Sequence, residues 1–141
     1  MVYQMIYSSQ ANTPMSIVDL EEILVDARTG NEKRNVTGAL VYIEGVFLQI
    51  LEGEKETLQR LMKSIAADTR HSRVTVFHEG DADGPLFSNW RMAYVGATPE
   101  QMAAWAGLEG AASITSILQG IQRDPQRRSR LIENLLGTLA S

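Results

Sequence analysis

Two stretches near the middle of the chain, residues 36–43 and 46–51, are dense in β-branched, aliphatic and aromatic side chains, with Glu44-Gly45 between them. That density predicts two strands. Gly45, free to take positive φ, predicts the tight turn of a hairpin. Neither strand alternates cleanly between apolar and polar positions. In the second, Phe47 and Leu51 share one face, and Val46, Leu48 and Ile50 share the other. A strand apolar on both sides predicts a sheet covered on both sides. Gln49 interrupts the pattern. It shares a face with Phe47 and Leu51, so its amide is expected to be buried and to need partners for two donors and an acceptor. A neighbouring strand or a water could satisfy it, or a buried polar ligand could; the pattern leaves both open.

The same reading extends along the chain. Residues 2–8 predict a first strand, with Tyr3, Met5 and Tyr7 on one face. Ser16 as N-cap and Asp19 in the first turn announce a helix over 17–29, whose stripe is Leu20, Ile23, Leu24 and Ala27. Gly30 is expected to stop it in the left-handed conformation, and 31–35 to form a polar loop. After the hairpin, Glu54 and Glu56 favour the start of a helix over 54–67 with the stripe Leu58, Leu61, Met62 and Ile65. Residues 68–71 read as a turn, 74–77 as a fourth strand, 80–85 as a loop, and 90–95 as a last strand with Trp90, Met92 and Tyr94 on one face. The order β-α-β-β-α-β-β predicts an α+β, ferredoxin-like split βαβ fold with an added strand. Two helices would cover the sheet face carrying Tyr7, Gln49 and Trp90.

Beyond residue 97 the pattern is helical. Thr98-Pro-Glu-Gln101 has the form of a capping box with proline at the first helical position, and Gly107 ends that helix. Ile114, Ile117, Leu118 and Ile121 form another stripe, and Asp124-Pro125 opens a last helix bearing Leu131, Ile132, Leu135, Leu136 and Leu139. These helices are expected on the second face of the sheet, with apolar surface left over for a partner. Arg127, Arg128 and Arg130 are expected on a solvated helix face.

Composition narrows the chemistry. The 141 residues carry a net charge of −4, which argues against nonspecific nucleic-acid binding, and no cysteine, which removes thiolate metal sites and thiol nucleophiles. His71 and His78, the only histidines, lack the spacing of a helical metal pair. There is no glycine-rich phosphate loop and no nucleophile elbow. Glu52 and Glu54 could pair as acid and base, but a helix start explains them more simply. The chain start lacks signal-peptide features and no run is long enough to span a bilayer, so a cytoplasmic protein is expected, with no membrane partner. An enzyme has little support. Tyr7, Asn31, Gln49, Trp90 and Met92 stand out instead as hydrogen-bonding and redox-capable groups in an apolar interior.

Ile6-Tyr-Ser-Ser9, Asn35-Val-Thr-Gly38, Gly45-Val-Phe-Leu-Gln-Ile-Leu-Glu-Gly53, Asp68-Thr-Arg-His71 and Phe87-Ser-Asn-Trp-Arg-Met92 occur in that order. In this combination the chain resembles the BLUF family, blue-light sensors that use FAD, over residues 1–97; residues 98–141 would be a helical cap or output extension. The resemblance implies a flavin, FAD with FMN as the alternative, between the two helices and sandwiched by Ile23 and Ile65. It implies Asn31 on the pyrimidine edge, Gln49 bridging Tyr7 and the flavin, Asp68 near the ring, and Arg70 and His71 along the ribityl and phosphate side. Trp90 and Met92 would change place with the light state. Gly30 and Ala27 depart from the family pattern. The implied switch is transient electron and proton transfer from Tyr7, which lets the Gln49 amide rotate or tautomerise. With no enzymatic output encoded, the signal would leave through a downstream signalling protein or a homo-oligomer, without direct contact to nucleic acid. A ferredoxin-like ligand-binding or interaction module without photochemistry, and a flavin-dependent oxidoreductase, are the competing readings; the second lacks a nicotinamide fingerprint.

Overall fold

The computed structural model describes residues 2–108 and 113–140. Its strands are β1 (Val2–Ala11), β2 (Thr37–Ile43), β3 (Val46–Gly53), β4 (His71–Ala82) and β5 (Ala93–Gly96). Its helices are α1 (Ile17–Arg34), α2 (Lys55–Ala67), α3 (Pro99–Ala106), α4 (Ile114–Arg123) and α5 (Pro125–Ala140). One sheet forms in the order β4-β1-β3-β2-β5. β1 lies antiparallel to β3 and β4, β2 antiparallel to β3, and β5 parallel to β2 at the edge. This is the expected split βαβ unit with a fifth strand, a mixed sheet.

The period-2 pattern of β3 decides the layers. Phe47 and Leu51 join Met5, Tyr7, Leu40 and the stripes of α1 and α2 in one buried cluster. Leu48 and Ile50 join Ile6, Val41 and the tail residues Met102, Ile117, Ile121, Leu131 and Leu135 in the other. Gln49 is buried, as the pattern requires. Ser16 and Asp19 close a reciprocal capping box at the start of α1, and Thr98 and Gln101 do the same for α3, which ends on Gly107 in the left-handed conformation.

Several boundaries differ from the sequence reading. Gly30 does not stop α1. The helix runs to Arg34, and Asn35 takes the left-handed position at φ 56°, with its N–H returned to the carbonyls of Asn31 and Glu32. The supposed loop 31–35 is therefore the last helical turn, which places Asn31 on the inner face. β4 extends to both sides of 74–77, so that His71 is a strand residue and Gly80 lies within the strand. The last strand starts at Ala93, not Trp90. A turn from the Phe87 carbonyl to the Trp90 N–H breaks the apparent alternation, and Trp90 packs with Phe87 on the tail side, away from Tyr7 and Gln49.

The tail also departs from expectation. Arg127 donates to the Gly107 carbonyl, and Arg128 to those of Ile121 and Gln122, so these two side chains satisfy helix C-termini instead of lining a solvated face. The large apolar side chains left exposed among the described residues are Ile17, Val18 and Val25 on α1, Val76 on β4, and Leu86. None belongs to the tail stripes, whose members pack on the sheet. Among the described residues no helix is long and apolar enough to cross a membrane.

Candidate functional site

A cleft of about 250 Å³ opens between α1 and α2 above the sheet. Ile23 of α1 and Ile65 of α2 form opposing walls, and Leu40, Phe47 and Leu51 from β2 and β3 supply apolar floor. Tyr7, Asn31 and Gln49 line it with polar atoms, and Asp68, Arg70 and His71 complete the lining. Every cofactor-contact residue expected from the sequence is thus in one cavity. Met92 touches the site through Gln49; Trp90 does not reach it.

Register brings the central polar pair together. Gln49 stands opposite Tyr7 across β1 and β3, and opposite Leu40 across β2 and β3. The Tyr7 hydroxyl donates to Gln49 Oε1, and Gln49 Nε2 donates to Met92 Sδ at 3.4 Å. All three side chains are buried. The two amide orientations of Gln49 are therefore unequal. In the observed one the oxygen meets a hydroxyl donor and the nitrogen meets a sulfur acceptor. Turned over, the oxygen would face a sulfur without a proton, and the Tyr7 hydroxyl would have to turn and accept. Burial, with the Asp68 charge adding to it, pushes the Tyr7 phenol well above its ordinary pKa of 10.0, so the neutral form is held.

Asn31 is 2% exposed and donates through Nδ2 to the Arg91 carbonyl at 2.6 Å. One turn earlier, Arg28 Nε donates to the Met92 carbonyl at 3.0 Å. α1 thus grips residues 91–92 twice. The extension of α1 past Gly30 is what aims Asn31 at this segment. His71 is pinned on both nitrogens: Nε2 donates to the Ile65 carbonyl at 2.5 Å, and Nδ1 lies 2.6 Å from Ser9 Oγ. The carbonyl can only accept, so Nε2 carries a proton. The ring meets Phe47 edge-on at 6.4 Å. Arg70 spans the mouth, with Nη2 2.6 Å from Asp68 Oδ2 and Nη1 3.2 Å from Asp26 Oδ2 on α1. Its hydrogen bonds hold the Asp68 carboxyl below the usual range.

Opposed apolar walls, one buried edge of amide and phenol groups, and a charged rim suit a flat heteroaromatic ring with a donor–acceptor edge and a polar chain leading outward. The donor set does not suit a metal, and among the described residues no cluster of His, Asp and Glu could hold one.

Sequence reasoning missed Arg28, Ser9 and Glu52. Glu52 is no helix start: it belongs to β3 and is 1% exposed. A lone acid in an otherwise apolar two-faced strand was the available signal. Ser9 carried only its place in the Ile6–Ser9 motif and Arg28 carried none, because their partners are distant ring and backbone atoms.

Comparison with known proteins bears on this cleft. The family model BLUF, sensors of blue light using FAD, matches residues 2–93. Photoactivated adenylate cyclase subunit beta of Euglena gracilis is 35% identical over 108 residues, which cover 76% of this chain and 12% of that protein. The chain therefore spans about an eighth of that relative's length. Among solved structures, the photo-activated state of BlsA superposes with a TM-score of 0.80 at 26% identity, covering 96% of this chain and 95% of that one. The dark state of BlrB, a BLUF protein, superposes with a TM-score of 0.77 at 20% identity over 97% and 96% of the two chains, a likeness of fold.

Proposed function

This chain belongs to the BLUF family of flavin-binding blue-light sensors, and from that premise we propose which of its residues hold the chromophore and carry the switch. Ile23 and Ile65 clasp the ring from either side, and Asn31 and Gln49 meet its hydrogen-bonding edge. Asp68, Arg70 and His71 flank the side leading to the mouth, where a phosphate would compete with Asp26 for Arg70. The flavin, FAD or FMN, absorbs blue light and becomes, when excited, a strong acceptor of an electron and a proton.

The observation that carries the reading is the buried relay from the Tyr7 hydroxyl through the Gln49 amide to the Met92 sulfur, set in the wall of that cleft. Tyr7 is the group able to give up a proton at Oη and take it back. While that proton is away, the contact that holds Gln49 Oε1 in place is lost, and the amide is free to rearrange. Its partner at Nε2 is then also disturbed, so Met92 registers the change. Two hydrogen-bond patterns of one amide make a bistable element that a local event can bias. The signal passes to a protein partner or through an interface between copies of this chain; the cyclase named in the relative lies in a protein of which this chain matches 12%.

The test is spectroscopic. The purified protein should carry a noncovalent flavin and show a reversible red shift under blue light. Tyr7→Phe, which removes the phenolic donor, and Gln49→Leu, which removes the amide at similar volume, should each retain flavin and abolish the shift. A normal shift in either variant would move the switch elsewhere. A colourless protein under flavin-replete expression would favour a ligand module without photochemistry.

A further inference from the structure

Glu52 is a buried carboxylate at the end of β3 whose two backbone donors come from one distant segment. Oε2 accepts from Leu86 N–H at 2.6 Å, and Oε1 accepts from Phe87 N–H at 2.8 Å and the Thr37 hydroxyl at 3.1 Å. Leu86 and Phe87 lie in residues 83–92, which join β4 to β5 without regular structure. Charge-assisted bonds to backbone N–H groups are the strong kind, and two from adjacent residues fix a chain in both place and direction.

The same segment supplies the far side of the switch. The Trp90 N–H returns to the Phe87 carbonyl at 3.0 Å, and the Trp90 carbonyl accepts from Gly38 N–H at 3.2 Å. The next two residues present the Arg91 carbonyl to Asn31 and the Met92 sulfur to Gln49. Phe87 and Trp90 belong to the tail-side core, and Met92 to the cleft-side core. Residues 87–92 therefore cross from one face of the sheet to the other beside its edge. The Glu52 carboxylate is the anchor where that crossing begins.

We propose that Glu52 is a positioning residue of the photoswitch: by clamping Leu86 and Phe87 it holds Met92 at the Gln49 amide and Trp90 on the opposite face, and so sets the lifetime of the light state. The proposal rests on the sensor reading given above. A carboxamide at this place cannot replace the carboxylate. Whichever oxygen becomes an NH2 group faces a backbone N–H, donor against donor. The freed segment lets Met92 leave and return more easily, which lowers the barrier to recovery.

The experiment uses the full chain loaded with flavin. Glu52→Gln should keep flavin and the red shift, recover in the dark about tenfold faster, the size of one lost charge-assisted bond, and raise amide exchange over 86–92. Thr37→Val removes one donor and leaves both backbone bonds. It should accelerate recovery in the same direction by less, and it serves if Glu52→Gln fails to fold. Because Glu52 acts through Met92, Glu52→Gln combined with Met92→Ala should recover like Met92→Ala alone. Unchanged recovery in the first two variants, or additive effects in the double variant, overturns the proposal while the sensor reading stands. A wild type with no reversible shift overturns the sensor reading and this proposal with it.

Discussion

At the scale of single residues, the protein places a phenol where only its neutral form is comfortable. Tyr7 is 4% exposed, and burial, followed by the charge of Asp68, raises its pKa far above 10.0. A group whose folded pKa is raised contributes its full stability below the unfolded value and loses it as pH climbs toward the folded one. The contribution of Tyr7 is therefore flat through neutral and mildly alkaline pH and declines above about 10. Tyr3 and Tyr94 are also raised, Tyr3 mainly by its hydrogen bond to Glu79 and Tyr94 by burial, so the comparison must be between variant and wild type. Urea unfolding at intervals from pH 8 to pH 11 should show a shallower alkaline decline in Tyr7→Phe. Equal slopes would mean that the folded state tolerates the phenolate and that the proton of Tyr7 is not held by burial.

At the scale of elements, the end of α1 shows how a correct motif can be read at the wrong residue. Gly30 and Asn35 are both good left-handed residues, and the apolar stripe stops at Ala27, so the earlier stop looked sufficient. What decides is tertiary: Asn31 must reach the Arg91 carbonyl, and Val36 N–H returns to the Asn31 carbonyl at 2.9 Å. Asn35→Gly should be nearly neutral, whereas Asn35→Val, a β-branched side chain at φ 56°, should cost about 1–2 kcal/mol. Denaturant midpoints check this. An equal loss in both would assign the role of Asn35 to its 3.4 Å contact with Arg91 instead of to its backbone. The sheet was legible because period 2 reports directly which side of a strand is covered, and β3 separates its two cores without error. The cleft residues were legible through their motifs. Residues 83–92 were not, because they have no period of their own; a carboxylate some 35 residues earlier in the chain places them. Trp90 mimicked a strand alternation with Met92 and Tyr94 for that reason.

At the scale of the whole molecule, α3, α4 and α5 bury the sheet face opposite the cleft, which makes them either a cover or the output. A cover alone would be indifferent to light. We expect coupling, because Trp90 packs with Phe87 in the core shared with α3, α4 and α5, two residues from Met92 in the other core. A displacement of Met92 that moves its backbone would load that short connection. To matter, the light state must favour one tail arrangement by differential contacts, and such couplings are usually about 1–3 kcal/mol. Removing α4 and α5 is a poor test, since Ile6, Leu48 and Ile50 would lose the side chains that cover them. Trp90→Ala leaves the cleft residues in place and cuts the connection. Hydrogen exchange in darkness and under blue light should differ over 114–140 in the wild type, and the difference should shrink in Trp90→Ala while the red shift persists. If exchange in the tail ignores light, the tail is a lid, and the output surface is to be sought on the exposed apolar side chains of α1 or along the β4 edge. If the difference survives in Trp90→Ala undiminished, the route runs through β5 and its parallel pairing with β2 instead.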